Sequence, residues 1–174
     1  MKYLILFSIS ILFLKCSQTS NESEAVMNVS VKFDDEKSNA IRNHFDNYMK
    51  NDTAALRSLS SPDNKIYVNS FEAISIDEIL NGISNQHQIF NDISVIGLGG
   101  IDTTTAWVQS IYYPNDGPIH TDTWFRWRAT GKFSGKLIEF PCHLVFEWKD
   151  NKIIKEWHYY DGSQMSDEIA LANQ

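Results

Sequence analysis

The chain has 174 residues, of which 43% are hydrophobic, 21% charged and 13% aromatic, a size and composition that fit one globular domain. Fifteen Lys and Arg against 22 Asp and Glu leave a net charge of −7. That balance argues against a nucleic acid partner held by a broad basic surface.

The amino end differs from the rest. Met1-Lys2 precedes Tyr3 to Leu14, a run without charge that stops at Lys15-Cys16. A spanning helix needs roughly 20 apolar residues, so this shorter run, behind a basic start, predicts a signal peptide over residues 1–15. Cys16 directly after it resembles the lipid acceptor of a bacterial lipoprotein signal, although Lys15 and Phe13 depart from the usual residues at their positions. The resemblance implies a protein of the bacterial envelope, attached to a membrane through lipid on Cys16, or a secreted one if Cys16 is not lipidated. Cys142 is then the one remaining thiol, so no internal disulfide is expected. Residues 16–33 are polar and acidic and predict a flexible tether, with the domain occupying residues 34–174.

From Asp34, the positions Ile41, Phe45, Tyr48 and Met49 recur at helical spacing behind an acidic first turn, which predicts helix one. A short second helix over Thr53 to Leu59 should end in a turn at Ser60-Ser61-Pro62-Asp63, followed by a short strand at Ile66 to Asn69. Ser75 and Glu78 form a capping box for a third helix, about Ile76 to Phe90. Beyond Asn91 the texture turns to β, with strands expected at Ile93 to Leu98, Ala106 to Tyr113, Asp122 to Ala129, Lys136 to Lys149 and Lys152 to Tyr160. Gly99-Gly100, Thr130-Gly131 and Asp150-Asn151 separate them as turns, the last suited to a two-residue hairpin. A tail from Ser163 to Gln174 has some helical character. Helices first and strands after indicate an α+β fold with the helices on one face of a curved sheet.

All five Trp lie in this meander, at 107, 124, 127, 148 and 157. A strand reading Trp124-Phe125-Arg126-Trp127-Arg128 must bury both faces or line a cavity with one. Taken together, the aromatics predict a pocket for a small, largely apolar molecule. The five His show neither H-x-x-x-H nor H-x-H spacing, so no metal is expected. Gly97-Leu98-Gly99-Gly100 is followed by β-type residues where a dinucleotide loop needs a helix, and no cofactor is expected. Cys142, after Pro141 in a strand-like run, reads as a buried inert thiol.

The order of elements, together with the closing stretch from Asp150-Asn151-Lys152-Ile153 to Trp157-His158-Tyr159-Tyr160-Asp161, resembles the NTF2-like superfamily in its SnoaL-like branch. The resemblance implies a cone in which three N-terminal helices pack on a strongly curved, mostly antiparallel sheet of five to six strands. By alternation, Trp157, Tyr159 and Asp161 share one face of the last strand, and Tyr67 and Asn69 share one face of the early strand. Asp161 is the candidate general base, with a plain turn carboxylate as its alternative, and Tyr67 and Asn69 are candidate catalytic partners. Trp107, Trp124, Arg126, His143, Trp157 and Tyr159 are the candidate ligand contacts, with an ion pair to Glu139, Glu147 or Asp161 as the rival role for Arg126. His158 is read as a satisfied or solvent-facing histidine. The expectation is a lipid-anchored domain binding a small apolar molecule without evident catalysis. The alternatives are an acid–base enzyme of isomerase, dehydratase, cyclase or hydrolase type using Asp161, and an assembly module that forms a homodimer through the sheet.

Overall fold

A computed structural model describes residues 28–98 and 104–174. The expected signal peptide, Cys16, most of the expected tether and the Gly99-Gly100 turn lie outside the described residues. The last part of the expected tether is not a tether, because Ser30–Lys32 forms strand β1 and pairs with a later strand.

Helix α1, Glu36–Met49, starts where Asp35 accepts a hydrogen bond from the Ser38 backbone N–H at 2.8 Å and the Ser38 hydroxyl accepts one from the Asp35 N–H at 2.9 Å. These reciprocal bonds satisfy donors that a helix start leaves orphaned. The same carboxylate also takes a hydrogen bond from the Ser110 hydroxyl at 2.8 Å and another from the Tyr112 hydroxyl. Partial burial pushes the Asp35 carboxyl up, but the bonds from Tyr112, Ser38 and Ser110 outweigh it and hold it down at about 2. One side chain thus caps the helix and ties it to the sheet. Asp35→Ala should cost about 1–3 kcal/mol in urea unfolding, with Asp35→Ser recovering the cap but not the ties; an Ala variant within 0.5 kcal/mol of wild type would refute this.

Helix α2, Thr53–Leu59, runs straight into strand β2, Ser60–Val68. The turn expected at Ser60 to Asp63 is therefore strand, with buried Ser60 and Asn64 on the same side as Ile66. After β3, Ala73–Ile74, helix α3, Ile76–Ile89, carries the expected Ser75 and Glu78 capping box. Strands β4, Phe90–Ile96, β5, Trp107–Tyr112, β6, Ile119–Gly131, β7, Leu137–Lys149, and β8, Lys152–Tyr160, follow. The β7–β8 hairpin turns on Asp150 and Asn151, both at positive φ (48° and 61°), as their short polar side chains permit. Helix α4, Ser163–Ala172, closes the chain.

The strands form one curved sheet in the order β1-β5-β6-β7-β8-β2-β3. β7 lies along one edge of the long β6, while β5 and β4 share the other end to end. All pairs are antiparallel except β2 with β8, which are parallel. The sheet thus has eight strands where five or six were expected, and four helices where three were; the added helix grows from the tail whose periodicity was weak. Inward residues of β6, β7 and β8, among them Phe125, Trp127, Phe140, Phe146, Trp148 and Ile153, pack against Ile41 and Phe45 of α1. A second cluster joins α2, α3 and β2 through Leu56, Ile66, Ile76, Leu80 and Ile83. Among the described residues, no helix is long and apolar enough to cross a membrane.

Candidate functional site

Between the helices and the inner face of the sheet lies a cavity of about 90 Å³. Phe45, Ile83, Val95, Phe125, Trp127 and Leu144 give it apolar walls, and Met165 of α4 closes one side. Its polar groups fall into two sets. Tyr48 donates its hydroxyl hydrogen to Gln86 Oε1 and accepts one from Trp127 Nε1, both at 2.6 Å. Burial pushes the Tyr48 hydroxyl well above its ordinary pKa, so it stays protonated and serves as a fixed dipole. Burial likewise pushes the Cys142 thiol up to about 12, which makes it the inert wall residue its sequence context suggests.

The second set is charged. Glu156 on β8 is buried, accepts from Asn64 Nδ2 at 2.6 Å through Oε1, and meets His158 Nε2 at 2.9 Å through Oε2. Burial alone would raise its pKa, but the hydrogen bond and charge of His158, helped by His44 and Asn64, bring the net shift below its ordinary value. The carboxylate is ionised and has only lone pairs to offer, so His158 Nε2 must carry the proton. In the neutral ring His158 Nδ1, which has no hydrogen-bond partner among the described residues, is then the basic nitrogen of a side chain that lines the cavity. A carboxylate that fixes the tautomer and orientation of a histidine is the arrangement that makes imidazole an effective proton acceptor. His44 of α1 completes the set; it is partly buried, and desolvation of its ring lowers its pKa against the opposing pull of Glu156.

The residues singled out from the sequence lie elsewhere. Trp124 and Arg126 alternate with the buried Thr123, Phe125 and Trp127 and therefore face the opposite, outer side of β6. On that side Trp124 stacks on His143 at 4.6 Å between ring centroids, and His143 stacks on Tyr159 at 6.1 Å. Trp107 is paired with Trp124 in register. Arg126 makes an ion pair with Glu139 at 2.9 Å, one of its three expected partners. Tyr67, Asn69, Trp157 and Tyr159 do come together, with Ser70 and Phe71, around an open groove of about 390 Å³, and Tyr67 stacks on Trp157. The groove is on the outer face, so the expectation that these residues line the inside of the cone is corrected. Asn69 is at positive φ (48°) and bonds to both the N–H and the C=O of Tyr160, so its amide stitches β2 to β8. Asp161 is exposed and accepts from the Ser163 N–H at 3.0 Å, which lowers its pKa. It is a turn carboxylate at the start of α4, outside the cavity.

Sequence reading missed His44, Tyr48, Gln86, Glu156 and Tyr160, and gave His158 no role in the pocket. One signal was present: Glu156, His158 and Tyr160 share a face of β8 by period two, and a Glu–His pair on an inward strand face requires a purpose. Among the described residues, no three His, Cys, Asp or Glu side chains gather as a cation site.

No protein-family profile matches the chain, and no curated protein matches it. Solved structures do. A protein from Catenulispora acidiphila with a ketosteroid isomerase-like fold, in complex with trimethylamine, is 12% identical, with 70% of this chain and 84% of that one covered and a TM-score of 0.52. A SnoaL-like polyketide cyclase from Agrobacterium tumefaciens is 9% identical over 75% and 94% of the two chains, with a TM-score of 0.52. An NTF2-like protein from Burkholderia thailandensis is 15% identical over 76% and 95%, with a TM-score of 0.53. The cone of helices on a curved sheet is an NTF2-like fold. Structures of SnoaL-like polyketide cyclases share that fold.

Proposed function

We propose that the chain binds a small, largely apolar molecule inside the cone and that His158, oriented by Glu156, moves a proton on it. The observation that carries this reading is His158 at the wall of a largely apolar cavity, held from behind by the buried Glu156 that Asn64 backs. The acid–base alternative raised by the sequence thereby gains a base on the inner face, in place of Asp161. Proton transfer by a positioned side chain contributes about 10²–10⁴-fold in rate.

Exchange of the α-hydrogens of cyclopentanone in deuterium oxide provides a test that needs no knowledge of the natural substrate. His158 Nδ1 would take the proton from the α-carbon, leaving an enolate, and return a solvent-derived deuteron. The protein should accelerate exchange, and His158→Gln should lose about 100-fold of that acceleration; exchange no faster than in buffer would sink the catalytic part of the reading. The cellular part is attachment through Cys16, supported by the uncharged run between Lys2 and Lys15. Radiolabelled palmitate should be incorporated by the wild type in a bacterial host and not by Cys16→Ser; equal labelling of both would remove the anchor.

A further inference from the structure

His44 has an unusual position. Its ring lies within the protein against Phe45 and Phe146, with centroids at 6.2 and 5.6 Å, and it lines the cavity. Neither of its nitrogens makes a hydrogen bond among the described residues, and Nδ1 is sealed from solvent as well. A ring nitrogen sealed from water without a partner forfeits the hydrogen bond it would have there, and such groups are rare enough in folded proteins to call for a missing partner. Glu156, whose charge acts on His44, already accepts from Asn64 through one oxygen and meets His158 through the other.

From this we infer that His44 is the polar anchor for the ligand, donating a ring N–H to an oxygen on an uncharged, compact, otherwise apolar molecule such as a ketone or an alcohol. The inference rests on reading the cavity as a ligand site. Each part of the class has its own cause. The ionised Glu156 behind His158 repels an anion, and the walls themselves present no carboxylate to an ammonium group. Apart from Tyr48, Gln86, His158 and Tyr160, the walls supply contact to hydrocarbon. A cavity of about 150 Å³ holds benzene, so in 90 Å³ a compact five-membered ring is accommodated as Met165 and its helix shift.

Two probes of matched shape separate the possibilities, cyclopentanone and cyclopentane. With the full chain labelled at the histidine nitrogens, cyclopentanone should shift the ¹⁵N resonances of His44 and cyclopentane should leave them in place. His44→Phe should weaken cyclopentanone binding at least tenfold while cyclopentane binding holds, and His44→Gln, which can still donate, should recover part of the loss. Unchanged His44 resonances with both probes bound, or equal affinities in wild type and His44→Phe, would overturn the anchor and leave the ligand site standing. Binding of neither probe would overturn both. The resonance measurement needs no variant, so a His44 substitution that fails to fold does not protect the inference.

Discussion

Glu156→Ala should lower the stability of the fold by about 3–5 kcal/mol, the range seen when one member of a buried charged pair is removed. The loss exceeds that of a surface ion pair because nothing replaces the carboxylate. Asn64 loses the acceptor of its Nδ2, and its Oδ1 is already buried without a partner; His158 loses the group that fixes its proton. Urea unfolding of the two proteins at neutral pH measures the difference, and a value below about 1 kcal/mol would show that the pair is solvated. The acid limb of stability gives a second readout. His44 enters the fold with a lowered pKa, so below its ordinary 6.5 the unfolded chain takes up a proton that the folded chain resists, and stability falls with pH from there downward. Glu156 is also lowered, so its contribution is complete above its ordinary 4.5 and is lost as pH falls through its folded value. In Glu156→Ala the limb that starts at 6.5 should persist and the one below 4.5 should become shallower, its remainder carried by Asp35 and Glu168, whose carboxyls are also lowered.

Gly131→Ala should cost about 2–4 kcal/mol and loosen the C-terminal helix. A Cβ at Gly131 would stand 2.3 Å from Glu168 Cδ and 2.4 Å from its Oε2, distances no real contact sustains. The Glu168 side chain is buried, and its Oε1 accepts from the N–H of Phe133 at 2.7 Å and of Ser134 at 3.1 Å. These are charge-assisted bonds worth roughly 1.5–3 kcal/mol each, and the carboxylate cannot keep them and also clear a new methyl group. Since Glu168 and Met165 are the buried residues of α4, displacing the first withdraws the second from the cavity wall. Hydrogen exchange should show faster opening of the amides from Ser163 to Ala172 in the variant. An unchanged exchange rate there, with unchanged stability, would mean that Glu168 finds an equivalent seat.

Most of the architecture was legible in the chain itself. Strict period-two alternation in β6, the Ser75 and Glu78 box and the Asp150-Asn151 turn each announce their element, because local geometry alone determines them. The facing of β8 was misread for a single physical reason. Ile153 is buried and faces inward next to the β7–β8 turn, and counting in twos from it places Trp157, Tyr159 and Asp161 inside. Yet Trp148 pairs with Ile153 while Glu147 pairs with Lys155, so β8 carries one extra residue, Ile154. Such a bulge reverses the facing of everything beyond it, and Glu156 and His158 turn inward instead. Nothing in the composition of Ile153-Ile154-Lys155 signals a bulge. The contribution of His44 was hidden differently, since its position on α1 next to Phe45 gives no hint that the cavity, rather than the core, lies against it.

The parallel pairing of β2 with β8 bears on how the protein reaches its working state. The strands from β5 to β8 are joined by short connections, so their closure costs little chain entropy. Asn64 and Glu156 are 92 positions apart, and their bond exists only once the N-terminal third of the chain has docked beside the last strand. Contacts of such long sequence separation are the ones that slow folding. The His158–Glu156 pair itself is local to one strand and can form with the hairpin; its backing by Asn64 cannot. During synthesis the His158–Glu156 pair and its backing by Asn64 are therefore completed only when the last strand has emerged, and Met165 closes the cavity later still.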